Sequence, residues 1–306
     1  MATEQWELVN PPSDGISSVE YSPTDPALLL VGSWDKSVSL YDAEVNELKW
    51  KVAQKAVVLD VFWSSQDQAV FTGGLDTKLR SYDVHGSSEK VLGSHTKAIR
   101  CVTYSSEIQA VITGSWDNDV KLWDPRSATA ETGRHTQPDK VFSLDVTHNK
   151  LVVATANRHT LIYDLRNMKE TLQRRESSLK FMTRCVRCMP NGDGYASSSI
   201  EGRIAVEFFD NAAEWQAKKY AFKCHRTKDN DQETVHPVNA LAFHPKHGTF
   251  ASGGGDGVVN VWDGFNKKRI RSFPKYETSI ASLSFNSDGT RLAIASSYTY
   301  EEGQKE

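Results

Sequence analysis

The sequence has 306 residues, 39% of them hydrophobic, and a formal net charge of -3, which is enough chain and apolar surface for a large buried core. No apolar run approaches the roughly 20 residues of a membrane-spanning helix, and the amino-terminal MATEQWELVNPP lacks the basic start and apolar stretch of a secretory signal. We therefore expect a globular protein of the cytosol or nucleus, and the acidic balance argues against general nucleic-acid binding.

The first predicted element is EQWELV at residues 4–9, and a strand of small and apolar residues then recurs seven times. These first strands are ISSVEYSP (16–23), VLDVFWSS (58–65), IRCVTYSS (99–106), VFSLDVTH (141–148), TRCVRCMP (183–190), VNALAFHP (238–245) and IASLSFNS (280–287). Each is followed by a second apolar strand, a short turn with Asp or Gly, and an alternating strand, which is the pattern of consecutive hairpins. No segment shows a sustained helical period.

The repeats have a period near 40. Gly32, Gly73 and Gly114 begin GSWD, GGLD and GSWD at steps of 41 residues. The alternating strands end in LYD, SYD, LWD, IYD, EFFD and VWD at Asp42, Asp83, Asp124, Asp164, Asp210 and Asp263. A period near 40 with Trp-Asp or Tyr-Asp endings is typical of a β-propeller with one repeat for each four-stranded blade. The predicted fold is all-β, a single seven-bladed WD-repeat β-propeller domain over residues 1–306.

Seven first strands but only six such endings leave the last blade one strand short. We expect residues 4–9 to supply its outermost strand, which would close the ring by pairing the two ends of the chain. The absent third strand predicts a truncation of the sequence near its C-terminus, and the alternative is that a partner fills the gap.

The sequence shows no catalytic pattern. It lacks the P-loop, G-x-G-x-x-G, H-E-x-x-H and G-x-S-x-G motifs. The turn Asp residues recur at one repeat position, which indicates turn hydrogen bonding. Cys185 and Cys188 form a lone CxxC on a predicted strand, where residues three apart face opposite sides, so we interpret them as structural. We predict no enzyme activity, no cofactor and no metal.

Two tryptophans stand out because the repeat does not require them. Trp34 and Trp116 precede the Asp of the turn between second and third strands, where other repeats carry Leu75, Asn157 and Gly255. In a propeller these turns share one face with the links into the first strands. Two large aromatic residues on one face predict anchors for a partner; the alternative is that each lies flat over its own blade.

Basic residues are concentrated in one part of the chain. Residues 164–187 contain seven Lys or Arg against three Asp or Glu, and further basic residues follow at 203 and 218–228. A confined cationic surface suits an acidic or phosphorylated peptide, whereas an ordinary solvated face is the alternative. We interpret three residues as binding residues, because Arg184 opens a first strand, Arg203 follows a Glu-Gly turn and Lys223 lies in the apolar setting AFKC.

Longer phrases carry a family resemblance. QRRESSLKF, SSIEGRIAVEFFD, KKYAFKCHR and FNKKR, together with the two GSWD turns, resemble the Bub-three (budding uninhibited by benzimidazole) family of WD-repeat mitotic checkpoint proteins over nearly the whole chain. The related WD-repeat messenger-RNA export factors, which dock on nucleoporins, share the SIEGR and FKCHR blocks.

This resemblance implies a non-enzymatic scaffold of the spindle assembly checkpoint in the nucleus, at the kinetochore and partly in the cytoplasm. Its implied partners are GLEBS segments of the checkpoint kinase and its kinase-like relative, phosphorylated Met-Glu-Leu-Thr motifs of a kinetochore scaffold, and the assembly that inhibits the anaphase-promoting complex. It implies neither a membrane nor a direct nucleic-acid partner. The alternative function is an export factor that binds the GLEBS segment of a nucleoporin.

The resemblance also implies particular site residues in this chain. The implied GLEBS-binding residues are Trp34, Trp116, Arg184 and Lys223, and we add Lys180 as a further cation for the Glu residues of that segment. The implied phosphothreonine-binding residues are Arg203 and Lys223. Lys223 stands where some members of the family have Arg, which keeps the charge but loses the bidentate geometry.

Overall fold

The computed structural model describes residues 4–64, 69–84, 88–300 and 303. Its regular structure is almost entirely antiparallel β-strand, in six four-stranded sheets that follow one another along the chain and are called blades 1 to 6. The predicted all-β propeller of WD repeats is confirmed. No described helix is long and apolar enough to cross a membrane.

The first three blades have regular connections. Blade 1 contains β1 (Ile16–Tyr21), β2 (Leu28–Ser33), β3 (Ser37–Asp42) and β4 (Glu47–Ala53). Blade 2 contains β5 (Val58–Trp63), β6 (Ala69–Gly74), β7 (Lys78–Asp83) and β8 (Glu89–Ser94). Blade 3 contains β9 (Ile99–Ser105), β10 (Ala110–Ser115), β11 (Asp119–Trp123) and β12 (Glu131–Thr136). The predicted first strand at 58–65 ends with a residue outside the described part of the chain.

The remaining blades carry the insertions. Blade 4 contains β13 (Val141–Thr147), β14 (Lys150–Thr155), β15 (His159–Asp164) and β16 (Gln173–Glu176). Blade 5 contains β17 (Thr183–Cys188), β18 (Gly194–Ser199), β19 (Arg203–Phe208), the short helix α1 (Ala213–Gln216) and β20 (Tyr220–Lys223). A hairpin of β21 (Arg226–Asp229) and β22 (Gln232–Val235) precedes blade 6, which contains β23 (Val238–Phe243), β24 (Thr249–Gly254), β25 (Val259–Asp263) and β26 (Lys268–Ser272).

The seventh position of the ring is incomplete. There β27 (Ile280–Phe285) pairs only with β28 (Leu292–Ser296) among the described strands, and β27 packs between β23 and β1. The seven first strands therefore close a ring, but the structure has six complete blades and not the seven that the repeats predict. The difference arises because the described residues place only two strands, β27 and β28, at the seventh position.

The prediction that residues 4–9 form the outer strand of this blade is also wrong. This segment has no strand hydrogen bonding. It lies at the outside of the seventh position, where Gln5 Nε2 donates to the Tyr276 hydroxyl at 3.2 Å. At its other end the Asn46 side chain of blade 1 binds the Glu7 carbonyl and the Val9 amide, each at 3.0 Å. Hydrogen bonds that involve side chains therefore hold this segment, in place of the predicted backbone hydrogen bonds to a neighbouring strand.

Apolar clusters between neighbouring blades form the core. Leu30 and Val38 of blade 1 pack with Val58 and Trp63 of blade 2, and each such buried side chain contributes roughly 1.5–3 kcal/mol. Second strands such as β10 are buried along their whole length, whereas outer strands such as β4 alternate exposed and half-buried residues. This difference explains why second strands read as continuous apolar runs and outer strands do not.

Every first strand contains a β-bulge at its second residue. The strand register skips that residue in all seven cases. The skipped residues are Ser17, Leu59, Arg100, Phe142, Arg184, Asn239 and Ala281. A bulge re-aims its side chain, and all of these except Leu59 line one cavity at the centre of the ring, called here the central cavity.

Candidate peptide-binding face

The turns between second and third strands share one face with the links into the first strands, as predicted. The Trp34 amide donates to the Gly15 carbonyl at 2.8 Å, and the Trp116 amide donates to the Ala98 carbonyl at 3.1 Å. Gly15 and Ala98 immediately precede β1 and β9. This surface of turns and links is called the turn face.

The same turn position recurs around the ring. Its other occupants, each making the equivalent amide bond to a link, are Leu75, Ala156, Ile200, Gly255 and Ser297. Ala156 therefore takes the place that the sequence pattern gave to Asn157. The reason is the strand register, because Thr155 pairs with Val141 as Ser33 pairs with Ile16. Thr155 is thus the counterpart of Ser33, and Asn157 lies one residue beyond the turn position.

The Asp that follows Trp34 or Trp116 holds the turn together. Asp35 accepts bonds from the Ser37 amide at 2.9 Å and the Ser13 amide at 3.1 Å, and pairs with Lys51 at 3.0 Å. Burial opposes the ionised form of Asp35, but these hydrogen bonds outweigh it and hold its pKa well below the ordinary range. In the same way, the pKa of Asp117 is lowered to about 2 against the effect of burial. The interpretation of the turn Asp residues as hydrogen-bonding residues is confirmed.

The two tryptophans differ in exposure. Trp34 is 44% exposed, and its ring lies beside Gly15, where a side chain would begin 3.7 Å from Cδ1. Trp116 is half-buried, and its buried Nε1 has no hydrogen-bond partner among the described residues. Buried donors are nearly always paired in folded proteins. The unpaired N–H of Trp116 is therefore suited to an acceptor on a bound partner.

Three further apolar side chains on the turn face were missed by the sequence reasoning. Leu75 is 39% exposed, Phe181 49% and Ile200 38%. Leu75 and Ile200 occupy the turn position of Trp34, and Phe181 lies in the link before β17. The turn position itself is the signal that could have found Leu75 and Ile200, whereas Phe181 lies in a link outside that position. Exposed apolar residues concentrated on one face are typical of an interaction surface.

Lys180 and Arg184 lie close together in sequence at the start of blade 5, but only Lys180 lies on the open turn face. Lys180 is exposed in the link that leads into β17. Arg184 is the bulge residue of β17, and its Nε donates to Asn239 Oδ1 at 3.1 Å. The bulge turns this guanidinium into the central cavity rather than onto the open turn surface.

Arg203 and Lys223 come together where β19 and β20 meet the turn face. They are paired across the two strands. Arg203 Nε lies 3.5 Å from Glu201 Oε1 and forms no hydrogen bond with a described residue. Lys223 is exposed, so the apolar setting that the letters AFKC suggested is wrong. The neighbouring Phe222 turns inward instead, because side chains alternate along the strand.

The basic run at 164–187 does not form one patch. Arg166 pairs with Asp164 at 2.5 Å at the far end of β15, on the face opposite the turn face. Arg175 lies 3.7 Å from Glu207, and Arg187 lines the central cavity. The run reads as a patch in the sequence only because the folded positions of its members are not visible there.

The structure gives the cysteines a packing role. Cys185 packs with Val238 and Leu241, whereas Cys188 packs with Tyr195 on the other side of β17. The two thiols therefore face opposite ways, as predicted. Burial raises the pKa of Cys188 well above its ordinary value, which makes a reactive thiolate unfavourable. The residues that the structure describes contain no cluster of three His, Cys, Asp or Glu suited to a metal.

A buried network that the sequence reasoning missed supports the turn of Trp116. His95 Nδ1 lies 3.0 Å from Asp117, and its Nε2 lies 2.7 Å from Thr113 Oγ1. Trp123 Nε1 also donates to Thr113 at 2.8 Å. Blade 6 repeats the network with His225, Asp256, Ser252 and Trp262. The available signal was a Thr or Ser ten residues before each of these tryptophans.

The sequence matches the family model described as "WD domain, G-beta repeat" at residues 5–42, 86–124 and 222–263. It is 55% identical over 303 residues to the mitotic checkpoint protein BUB3.1 of Arabidopsis thaliana, covering 98% of this chain and 88% of that protein. It is 48% identical to the mitotic checkpoint protein bub3 of Dictyostelium discoideum, covering 98% and 91%. The protein RAE1 of Arabidopsis thaliana is 40% identical over 98% of this chain and 86% of its own length. With such identity over almost its whole length, the chain belongs to the BUB3 family of WD40-repeat mitotic checkpoint proteins.

Proposed function

We propose that this protein is a non-enzymatic scaffold of the spindle assembly checkpoint. It binds GLEBS segments of the checkpoint kinase and of its kinase-like relative, and phosphorylated Met-Glu-Leu-Thr motifs of a kinetochore scaffold. By holding both it brings the kinase to kinetochores, and it works in the nucleus and partly in the cytoplasm. The observation that carries the proposal is the exposure of Trp34 on the same face as Lys180 and the paired Arg203 and Lys223.

The GLEBS segment crosses the turn face as an extended or helical peptide with apolar and acidic side chains. Trp34 and Trp116 bury its apolar residues, and a buried aromatic anchor dominates the energy of such interfaces. Lys180, Arg184 and Lys223 neutralise its Glu residues through charge-assisted hydrogen bonds. The exposed Leu75, Phe181 and Ile200 extend the apolar area between these two groups of contacts.

The phosphothreonine is held by Arg203 and Lys223. A phosphate carries a charge of about -1.5 to -2 near neutral pH and offers three strong acceptor oxygens. Arg203 supplies a planar set of donors, and Lys223 supplies a second charge directly across the strand pair. Binding through these residues depends on phosphorylation, so a mitotic kinase can switch it on and off.

Peptide titration tests the anchor. Trp34→Ala should weaken binding of a synthetic GLEBS peptide by more than about tenfold, which is the cost of losing an interface residue worth over 1.4 kcal/mol. Trp6→Ala is the matched control, because Trp6 is 48% exposed but lies in the segment at the seventh position. Equal affinity of the wild-type and Trp34→Ala proteins would remove Trp34 from the site.

The second candidate function is an export factor that binds the GLEBS segment of a nucleoporin. The 40% identity to RAE1 is the observation that supports this second candidate function. The same turn face would serve both functions, so surface chemistry does not separate them. Affinity purification from mitotic cells separates the two functions. Recovery of the checkpoint kinase and the kinetochore scaffold supports the first function. Recovery of a nucleoporin with messenger ribonucleoprotein supports the second.

We further propose that the seventh position becomes a full blade when a strand pairs with the outer edge of β28. Leu292 and Ile294 are only half-buried, whereas the corresponding second strand of blade 3 is buried throughout. An unpaired strand edge with apolar neighbours favours the addition of a strand. Amide hydrogen exchange of the protein taken from cells tests this: slow exchange of the β28 amides that do not bond to β27 is expected, and exchange as fast as in the exposed turns contradicts it.

A further inference from the structure

The central cavity opens toward the turn face and carries an excess of positive charge. Its lining includes three arginines, Arg100, Arg184 and Arg187, and one carboxylate, Asp60. Arg100 and Arg184 are bulge residues of β9 and β17, so the distorted register of these strands aims both side chains into the same space.

Asp60 attracts Arg100 electrostatically, but its oxygens are bonded to other groups. Its Oδ1 accepts bonds from Ser18 Oγ at 2.7 Å and the Val61 amide at 3.1 Å, and its Oδ2 accepts one from the Val102 amide at 2.8 Å. The carboxylate is thus used to join β1, β5 and β9. No ion pair between Asp60 and an arginine is present among the described residues.

Arg187 has partners inside the ring. Its Nη1 donates to the Val186 carbonyl at 3.0 Å. Burial works against the charged form of Arg187, but Cys185, Asp145, Glu20 and Asp60 raise its pKa above the ordinary value. Arg187 therefore belongs to an internal cluster and not to the mouth.

The remaining two arginines, Arg100 and Arg184, lie at the mouth of the cavity and differ in their hydrogen-bond partners. Arg184 is oriented by Asn239. Arg100 is half-buried and forms no hydrogen bond or ion pair with any described residue. The attraction of Asp60 offsets part of the charge of Arg100, but a half-buried guanidinium that forms no hydrogen bond is still costly, since burying a charge is favourable only when it is both paired and hydrogen-bonded. A ligand that supplies the partner removes this cost.

We propose that the mouth of the central cavity is a binding site for a single oxyanion, a phosphate or carboxylate group, held by Arg100 together with Arg184. Guanidinium groups present paired N–H donors that match both kinds of oxyanion. Partial burial strengthens the attraction relative to the open surface. The other bulge residues at the rim, Ser17, Phe142, Asn239 and Ala281, carry no charge, so Arg100 and Arg184 are the charged bulge residues there.

The site shares Arg184 with the proposed peptide surface, and its oxyanion has two sources. It is either free phosphate or a Glu side chain of the GLEBS segment. Arg100 separates this inference from the proposed function, because none of the contacts assigned to the peptide above involves Arg100.

Nuclear magnetic resonance of the arginine Nε–Hε groups tests the first source. The full protein is titrated with inorganic phosphate, and chloride keeps the ionic strength constant. We expect saturable shifts for Arg100 and Arg184 and none for Arg126, which pairs with Asp124 at 2.9 Å on the opposite face. Arg100→Gln should weaken phosphate binding about tenfold, Arg100→Lys should weaken it less, and Arg126→Gln should leave it unchanged.

A second arm titrates the same variants with the GLEBS peptide. Loss of phosphate affinity alone in Arg100→Gln identifies a free anion as the occupant. Loss of peptide affinity in this variant identifies a peptide carboxylate, whether or not phosphate binds. Absence of a saturable phosphate shift, together with unchanged peptide affinity in Arg100→Gln and Arg100→Lys, overturns the site. If the peptide binds the wild-type protein and the Trp34→Ala variant with equal affinity, the proposed anchor is contradicted. This result does not affect the oxyanion site.

Discussion

Arg203 and Lys223 lie directly opposite each other on β19 and β20, so two positive charges face one another at the end of one blade. Like charges in this arrangement destabilise a strand pair, by an amount comparable to the roughly 0.2–1 kcal/mol that a favourable pair contributes. Glu201, 3.5 Å from Arg203 Nε, offsets part of this repulsion. The pair therefore costs folding free energy at the position where the proposed phosphate binds.

Replacing one of these charges should raise stability and weaken binding together. Lys223→Gln removes the repulsion, so we expect a gain of a few tenths of a kcal/mol in unfolding free energy. It should also lower the affinity for a phosphorylated Met-Glu-Leu-Thr peptide about tenfold, through loss of a charge-assisted contact. Urea unfolding and calorimetric titration measure the two effects. Lys219→Gln, an exposed lysine at the other end of β20, should change neither, and unchanged phosphopeptide affinity in Lys223→Gln would remove Lys223 from the site.

Trp116→Phe should separate binding from folding. The buried Nε1 of Trp116 has no partner among the described residues, so its removal leaves stability within about 1 kcal/mol of wild type. If a bound GLEBS segment supplies the acceptor, affinity should fall about fivefold or more. Trp34→Phe is the comparison, because Trp34 is 44% exposed and its Nε1, unlike that of Trp116, is not a buried unpaired atom. An equal effect of both substitutions would show that Nε1 of Trp116 donates no bond to the segment.

Gly73→Ala should destabilise the interface between blades 2 and 3. A Cβ at Gly73 would lie 2.4 Å from Ile99 Cγ2 and 2.9 Å from Val102 Cγ2, so the side chains must shift at a cost of about 1–3 kcal/mol. Gly248→Ala is the matched control, because nothing lies within 4 Å of its added methyl group, and its effect should stay within about 0.5 kcal/mol. Equal unfolding midpoints for the two variants would contradict the close packing.

His95 should make the protein sensitive to acid. Burial lowers the pKa of His95 below its ordinary 6.5, despite the nearby Asp117 and Asp119 that favour its charged form, and Lys121 acts in the same direction as burial. The unfolded chain therefore binds a proton at a higher pH than the folded protein, and stability falls as pH drops below about 6.5.

His95→Gln should reduce this loss. Gln54 already occupies the equivalent place in blade 2, where its Nε2 donates to Thr72 Oγ1 at 2.7 Å, so the variant retains a suitable donor. Denaturant unfolding between about pH 7.5 and pH 5.5 should show a smaller decline for the variant than for wild type. Parallel declines would show that other groups cause the acid sensitivity.

The sequence predicted the repeat architecture because its signals are local. Strand alternation, turn residues and the Trp-Asp endings all lie within a few positions of one another, and they place Trp34 and Trp116 correctly. The predicted turn residue of the fourth repeat was wrong by one position, because only the pairing of Thr155 with Val141 establishes the register of that repeat. The segment at residues 4–9 forms no strand, and the sequence could not reveal this, because ladder bonds there depend on a neighbouring strand and not on the segment itself.

The charged part of the candidate site was harder to predict for a different reason. Sequence proximity grouped Arg166 with Arg184, although the fold sends them to opposite faces. Arg203 and Lys223 are 20 residues apart in sequence, and only the pairing of β19 with β20 brings them together. The sequence did not indicate that Arg100 faces the central cavity, because this orientation comes from a bulge that the letters IRCVTYSS do not reveal.

The recurring bulge has an evolutionary consequence. Six of the seven first strands present their bulge residue to the axis, from a position that the strand register skips. A mutation at such a position can alter what the axis binds while the pairing of the strands stays intact. Related proteins of the same fold can therefore differ in what their axis binds through changes at these six positions.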